Sequence, residues 1–356
     1  MNIESLDLKN FRNYSILHIE FDPETNILYG DNAQGKTNIL EAVYLTATTK
    51  SHRGSRDREI IRFGEEESHI KVKVSKRGIP YVIDVHLKKE RTKGIAINGI
   101  PVRKASEIFG IVNVVCFSPE DLEIIKEGPA VRRKFIDLEL CQLNPLYVHS
   151  LVSYNRILVQ KNKLLKELAF HRDYEETLDV WDEQLIRYGN EVTEYRERFI
   201  EEINEIIEGI HSNISGEKEK IKITYEKCGF AINRKEEIRA KTSLCGPHRD
   251  DIVFYINGED VRKFGSQGQQ RTAALSLKLA EIELMKRKIK DTPVLLLDDV
   301  LSELDESRQD RLLTEIKDIQ TIITCTGLED YLRRNFRGFQ AMHVSNGKVE
   351  EALNHE

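Results

Sequence analysis

Two short segments of this 356-residue chain carry the residue types that bind phosphate. The first, Gly30-Asp31-Asn32-Ala33-Gln34-Gly35-Lys36-Thr37, has P-loop spacing. Its glycines let consecutive backbone N–H groups curl around phosphate oxygens. Lys36 sets a positive charge against the β- and γ-phosphates, and Thr37 offers a hydroxyl to Mg²⁺. The second is Gly265-Ser266-Gln267-Gly268-Gln269-Gln270, at the start of a helix of about 22 residues, roughly 33 Å long. A Ser-X-Gly at a helix start combines a hydroxyl, open N–H groups and a positive dipole end, with Gln269 beside them. One nucleotide does not need two such cradles from one subunit. Ser266 is therefore expected to face the γ-phosphate bound by another copy of the chain.

A third segment supplies acid. Val294-Leu295-Leu296-Leu297-Asp298-Asp299 reads as a buried strand ending in two carboxylates, the place where a P-loop protein holds Mg²⁺. Asp298 is expected to hold the metal together with Thr37, directly or through water. Asp299 either orients or deprotonates the attacking water, or stands back as a supporting charge. The catalytic candidates are thus Asp298, Asp299 and Ser266. The ATP-binding candidates are Gly30 through Thr37 with Gln269.

The elements that must position these groups can be read from periodicity. Strands begin at Ile3, Leu6 and Leu8, at Ile16 to Phe21, and at Thr25 to Tyr29, which enters the P-loop. A helix follows from Asn38 to Thr46, with Ile39, Val43 and Thr46 on its buried face. Lys50 to Arg62 is a basic loop. Alternating runs at 69–75 and 81–87, with turns at Arg77-Gly78 and Asn98-Gly99, make 66–103 an antiparallel sheet. Val112 to Phe117 is a short buried strand.

From Ala130 to about Ile210 strand and breaker signals nearly vanish. Leu178, Trp181, Leu185, Tyr188, Val192, Tyr195 and Phe199 recur at spacings of three and four, extended by Ile203, Ile206 and Ile210. Leu151, Tyr154, Leu158, Leu165 and Leu168 offer a partner helix, with the polar stretch His171 to Glu176 between. This is either a helical hairpin arm projecting from a head or an internal helical subdomain. Strands return at Lys220–Tyr225 and Ile252–Ile256, with an Asn257-Gly258 turn. In the next helix Leu275, Leu279, Ile282, Met285 and Ile289 form the buried stripe. The expected fold is α/β: an ATPase head whose mixed sheet has an antiparallel N-terminal part, interrupted by a helical lobe. The expected divisions are 1–129, 130–215 and 216–356.

Bulk properties agree. A 40% apolar and 32% charged composition is globular, and no apolar run reaches the ~18 residues of a membrane span. The first seven residues have neither a basic start nor an apolar run, so no signal peptide is expected. Five scattered cysteines without a CxxC pair indicate neither a disulfide framework nor a zinc site. A reduced, cytoplasmic protein is expected. A net charge of −6 argues against a chain that coats nucleic acid uniformly, but leaves room for local basic patches. Such clusters stand at Lys50, Arg53, Arg56, Arg58 and Arg62, at Arg132-Arg133-Lys134, and at Arg333-Arg334 with Arg337. Cys325 reads as a small buried residue rather than a nucleophile. His248 faces nucleotide or DNA, or plays a structural role.

The order of P-loop, Ser-X-Gly-Gln before a helix, and apolar strand ending in Asp-Asp resembles ABC-type ATPase heads of the SMC class. In that class two heads sandwich two ATP molecules, and Asp305 in Ser302-Glu303-Leu304-Asp305 matches its loop after the acidic strand. The match is closer to the RecF family of bacterial DNA replication and repair proteins. It is carried by Asn10-Phe11-Arg12-Asn13-Tyr14, Gly30 to Asn38, Phe117-Ser118-Pro119-Glu120-Asp121-Leu122, Arg132-Arg133, Gly246-Pro247-His248-Arg249-Asp250-Asp251, Ser266-Gln267-Gly268-Gln269-Gln270-Arg271-Thr272 and Leu297-Asp298-Asp299.

The resemblance implies a homodimer formed on ATP binding and contact with single-stranded or gapped DNA. It also implies partnership with RecR and RecO in loading RecA. Three departures from the broader ABC pattern stand out. Gln267 replaces a glycine, Asp299 stands where a glutamate is common, and Thr324-Cys325-Thr326 follow the strand 321–323 where a switch histidine often sits. The first fits the RecF family; the shorter Asp299 and the missing histidine imply slow hydrolysis, a switch and not a motor. The rival readings are the ATP-binding subunit of a membrane transporter and a scaffold that never hydrolyses its nucleotide.

Overall fold

The computed structural model describes residues 1–168, 176–327 and 339–355. The chain opens with β1 (Asn2–Phe11), β2 (Tyr14–Glu20), β3 (Thr25–Tyr29), α1 (Lys36–Thr48), α2 (Asp57–Ile60), β4 (Glu67–Lys76), β5 (Ile79–Lys88), β6 (Arg91–Ile97), β7 (Ile100–Pro101) and β8 (Val114–Phe117). It continues with α3 (Leu122–Lys126), α4 (Pro129–Leu143), α5 (Pro145–Leu168), α6 (Leu178–Ser215), β9 (Ile221–Glu226), α7 (Arg234–Ala240), β10 (Asp251–Ile256), β11 (Glu259–Asp260), α8 (Val261–Phe264) and α9 (Gln267–Ile289). It closes with β12 (Val294–Asp298), α10 (Glu306–Glu315), β13 (Thr321–Cys325), β14 (Phe339–Ser345) and β15 (Lys348–His355).

Two compact units result, one of residues 1–121 with 281–356 and one of 122–280. The division differs from the expected 1–129, 130–215 and 216–356. The helices of 130–215 are packed with β9, β10 and α7, so the segment that carries Ser266 and Gln269 goes with the helical part. α9 runs through the division.

The first unit holds two sheets. One, ordered β2-β1-β4-β5-β6-β7, is antiparallel throughout. Its strands alternate: in β4, Ser68, Ile70, Val72 and Val74 turn inward while their neighbours face out. The other, ordered β15-β14-β3-β13-β12-β8, is parallel except for the β14–β15 hairpin. β8, β12 and β13 are buried at every residue, as strands covered on both faces must be. The Arg77-Gly78 and Asn98-Gly99 pairs take positive φ at both residues and close two-residue hairpins.

α1 lies against β8, β12 and β13 of one sheet and β4 and β5 of the other. It is therefore buried on nearly all sides, not only along the expected face of Ile39, Val43 and Thr46. The buried amide of Gln320 joins the sheets: Oε1 accepts from Ile3 N at 2.6 Å, and Nε2 donates to the carbonyls of Ile3 and Asp22, each at 2.8 Å. The expected basic loop at 50–62 is partly ordered. It contains α2, and Ile60 and Ile61 are buried.

In the second unit α5 and α6 pack along each other. Half of the buried seam of α6 is displaced one residue from the expected one. Leu178, Leu185, Val192, Phe199 and Ile203 are buried as expected, but the alternate positions are Asp182, Gly189 and Arg196, not Trp181, Tyr188 and Tyr195. Each substitute has a physical reason. Asp182 pairs with the fully buried Lys161 at 2.7 Å, and Lys161 also reaches Glu237 of α7 at 2.7 Å. A Cβ at Gly189 would lie 2.3 Å from the Phe230 ring, so only glycine admits that ring. Arg196 binds Asp137 at 2.7 Å and the Pro247 carbonyl at 2.7 Å.

The pair is not a bare arm. Leu165, Leu168 and Leu178 at one end pack with Leu164 and with Ile238 of α7. Towards the other, the Asn204 side chain of α6 hydrogen-bonds both N–H and C=O of Ile223, filling the edge of β9. Of the polar stretch at 171–176, residues 171–175 lie outside the described residues. α9 is buried almost all round from Thr272 to Met285, broader than the expected single stripe.

Lys161→Ala removes the buried cation from Glu237 and leaves Asp182 with only Arg234 at 3.4 Å, and a loss of about 3–5 kcal/mol in unfolding free energy is expected. Urea denaturation of the full chain reads it directly.

Candidate functional site

β3 delivers the chain to Gly30 in the parallel sheet, and α1 leaves from Lys36. Between them the loop needs backbone angles that side chains resist. Gly30 has φ 147° and Gly35 φ 117°. Both are also crowded: a Cβ would lie 2.3 Å from the Val344 carbonyl oxygen at Gly30 and 2.5 Å from the Asn13 amide at Gly35. Asp31, Asn32 and Ala33 are exposed, while Gly35 and Lys36 are buried. Lys36 Nζ donates to the carbonyls of Gly30 (2.6 Å) and Asp31 (2.7 Å), arched over its own loop.

The N-terminal motif Asn10-Phe11-Arg12-Asn13-Tyr14 braces this loop. Asn13 Nδ2 donates to Gln34 O at 2.8 Å and Tyr14 Oη to Gly35 O at 3.1 Å, while Asn38 Nδ2 donates to Asn13 Oδ1 at 2.8 Å. Gln34 Oε1 accepts from Asn346 N at 2.7 Å. Arg12 forks onto Glu41 of α1 at 2.8 and 2.6 Å. Glu41 is fully buried, and burial alone would raise its pKa. The Arg12 guanidinium and the Ser51 hydroxyl outweigh burial and hold it below the usual glutamate range.

Asp298, the last residue of β12, comes to the foot of the loop. Thr37 Oγ1 donates to Asp298 Oδ1 at 2.7 Å, joining residues 261 positions apart. Thr324 of β13 donates to the same oxygen at 2.8 Å, and its hydroxyl accepts from Asp299 N at 3.0 Å. One threonine thus holds the Asp298 carboxylate and the backbone of Asp299. It occupies the strand end where the broader ABC pattern often has a switch histidine. Asp299 is held at φ 54°, in the left-handed region, with its carbonyl accepting from Ser302 Oγ at 2.7 Å. Burial pushes the Asp298 carboxyl up. The His52 imidazole and the Thr37 and Thr324 hydroxyls together pull it below its ordinary value.

His52 is the residue that sequence reasoning missed. It lies within the expected basic loop, yet its side chain is only 6% exposed, and Nε2 lies 3.7 Å from Asp298 Oδ2. That separation is electrostatic contact, not a hydrogen bond. Both ring nitrogens are buried without a hydrogen-bond partner. The exposed basic residues of this loop are Lys50, Arg53, Arg56 and Arg58, and Arg53 reaches Asn38 beside Thr37 at 3.5 Å.

In the second unit Ser266 is the N-cap of α9 in a reciprocal capping box. Its Oγ accepts from Gln269 N at 3.2 Å, and Gln269 Oε1 accepts from Ser266 N at 2.9 Å. Gln269 Nε2 is engaged by Glu219 at 2.9 Å. Gln269 is therefore a brace for the turn, leaving the Ser266 hydroxyl hydrogen and the first-turn N–H groups of Gln267 and Gly268 outside the helix ladder. Ser266, Gln267 and Gly268 are all exposed.

A family model described as the RecF/RecN/SMC N terminal domain matches residues 2–347. The DNA replication and repair protein RecF of Agathobacter rectalis is 58% identical over 98% of this chain and 99% of that protein. RecF of Lachnoclostridium phytofermentans is 55% identical over 99% and 100%. The chain belongs to the RecF family. Among solved structures, the recombination mediator RecF with ATP in the RecFOR pathway superposes with a TM-score of 0.91 at 34% identity, covering 99% of this chain and 97% of that one. An Smc head domain from Pyrococcus furiosus superposes at 0.59 with 18% identity, a likeness of fold. The RecF-family head is thus a mixed α/β ATPase fold, as expected from the order of its motifs.

Several other expectations find their place on this RecF-family chain. Asp305 is the N-cap of α10, accepting from Arg308 N at 3.1 Å. Arg132 is buried in a bidentate pair with Asp251 at 2.7 and 2.9 Å, a structural role. His248 has both ring nitrogens engaged, by Tyr154 Oη at 2.6 Å and Ser243 O at 3.2 Å. Cys325 is buried. The cluster Arg333-Arg334 with Arg337 lies outside the described residues. No helix among the described residues is long and apolar enough to cross a membrane.

Glu41, depressed when folded, contributes stability that is complete above the unfolded glutamate pKa of about 4.3 and is lost as pH falls through the lower folded value. Glu41→Gln is expected to cost about 3 kcal/mol near neutral pH. Its denaturation midpoint should also decline less than wild type on acidification below about pH 5. Urea midpoints across that range check both.

Proposed function

We propose that this RecF-family protein is an ATP-gated, DNA-binding ATPase that acts as a switch in DNA repair and replication. The observation that carries the reading is the junction of Thr37, Asp298 and Thr324 at the foot of the P-loop. Thr37 and Asp298 fit Mg²⁺: a hydroxyl and an ionised carboxylate 2.7 Å apart at a parallel strand end are hard oxygen donors of the kind that ion takes. Bound there, Mg²⁺ would neutralise charge on the β- and γ-phosphates.

The chain's own groups do the rest. Backbone N–H groups of the loop and the N-terminus of α1 receive the phosphates, and Lys36 exchanges its two carbonyl partners for phosphate oxygens. Asp299, set at an unusual backbone angle, orients the attacking water. Its carboxylate is one methylene shorter than a glutamate, and Thr324 supplies no titratable group. Both features support slow turnover.

Ser266 of a second copy is assigned to the γ-phosphate. What supports this is its exposure at the open turn of α9, beside Phe264, which is 70% exposed. ATP would close a homodimer, the closed dimer would grip single-stranded or gapped DNA, and hydrolysis would release it. RecR and RecO are the expected protein partners, and the cytoplasm the expected location. DNA is expected to stimulate the ATPase. The RecFOR pathway named for the solved RecF structures supports the partnership with RecR and RecO.

Lys36→Ala is expected to abolish ATP binding, read by fluorescent-nucleotide titration. Ser266→Arg should bind ATP like wild type yet remain monomeric with ATP on sedimentation; normal dimerisation would remove Ser266 from the site. Asp298→Asn should lower phosphate release about 100-fold or more, close to 3 kcal/mol in barrier, measured with and without gapped DNA.

A further inference from the structure

The segment Gly246 to Asp251, between α7 and β10, is held in place with unusual thoroughness, and one of its side chains is left exposed. Gly246 has φ 111°, and a Cβ there would lie 2.7 Å from Tyr154 Oη. The Pro247 carbonyl accepts from Arg196 at 2.7 Å. His248 is locked at both nitrogens; because Ser243 O only accepts, Nε2 carries the proton and Nδ1 accepts from Tyr154. Asp250 is 1% exposed and accepts from Cys228 N at 2.7 Å and from the Tyr225 hydroxyl. Only Arg249 is exposed.

The charges around this segment do not balance. Four guanidiniums, of Arg132, Arg133, Arg196 and Arg249, meet three carboxylates, of Asp137, Asp250 and Asp251. Arg132 takes Asp251 and Arg196 takes Asp137. Asp250 is occupied by Tyr225 and Cys228. Among the described residues Arg133 and Arg249 have no carboxylate within ion-pair distance. Arg133 Nη1 donates to Asp250 O at 2.6 Å and Arg249 Nη2 to Ser243 O at 3.2 Å. Each fork has five N–H donors and spends one on a carbonyl. Burial, followed by the repulsion of Arg196, lowers the Arg133 pKa, so its cation is one that an added anion would stabilise.

We propose that Arg249 and Arg133 form a contact for the phosphodiester backbone of nucleic acid, with the locked loop as its mount. Two forks with open donors, both close enough to His248 to add to burial in lowering its pKa, suit phosphate oxygens, which accept bidentately. The nearby rings of Tyr154 and Phe230 are turned inward against Gly189 and Gly246, so the site offers charge without base stacking. Arg196, His248 and Asp250 are positioning residues for it. The inference rests on the DNA-binding reading above and assigns that reading a place in the second unit.

The test is fluorescence anisotropy of the full chain with ATP and labelled gapped duplex over a salt series. Arg249→Gln should reduce the slope of log affinity against log salt by about 0.9, and Arg133→Gln with Arg249→Gln by about twice that. Arg249→Lys should keep most of the slope. Arg198→Gln, which alters an exposed arginine already paired with Glu194, should change nothing. Nucleotide titration and thermal melting should be unchanged by Arg249→Gln, since its side chain is exposed.

A wild-type slope in Arg249→Gln would overturn the inference while leaving the DNA-binding reading intact. So would a lost protein-partner contact with unchanged DNA affinity. Wild type that binds no DNA with ATP would overturn both.

Discussion

Asp298 ends a strand buried at every residue, and a carboxylate in that place takes up a proton unless its charge is met. Three elements meet it: Thr37 at the start of α1, Thr324 on the neighbouring strand and His52 in the segment after α1. Keeping that charge is what allows the foot of the P-loop to receive a divalent cation. The same contacts fix where the loop stands relative to the sheet. The Arg12–Glu41 pair meets a second buried carboxylate, and the motif around Arg12 holds the loop by the carbonyls of Gln34 and Gly35. The first unit is organised around two charges that the interior would otherwise neutralise.

The second unit repeats the device at larger scale. Lys161 with Asp182 and Glu237, and Arg196 with Asp137, are ion pairs inside a helical packing that an apolar seam could have filled. Such pairs contribute modest net stability but are costly to break. Their consequence here is positional. They tie α4, α5, α6 and α7 to the loop before β10, and so fix a backbone that hydrophobic contact alone would leave free to shift.

Much of this was legible beforehand. The P-loop, the acidic strand end, the capped start of α9, the alternating strands of the antiparallel sheet and the hairpin turns follow from local patterns, and the structure has them. The α6 seam shows where legibility ended. Periodicity chose Trp181, Tyr188 and Tyr195, apolar residues at heptad spacing, while the buried positions one residue on are an acid, a glycine and an arginine. Apolar periodicity scores a buried charge as exposed, because its partner sits on another helix far away in the chain. His52 was missed for the same reason: nothing within the segment 50–62 says that Asp298 will stand beside it.

The sequence by itself determined the chemistry available: which residues could cradle phosphate, which could hold a metal, and the family whose motifs they match. Those properties depend on short spacings, which the covalent chain and local backbone geometry enforce. Tertiary structure alone decided which charges are buried together and which guanidiniums are left without a carboxylate. Desolvation and ion pairing depend on distance in space, and contacts such as Thr37–Asp298 join residues 261 positions apart.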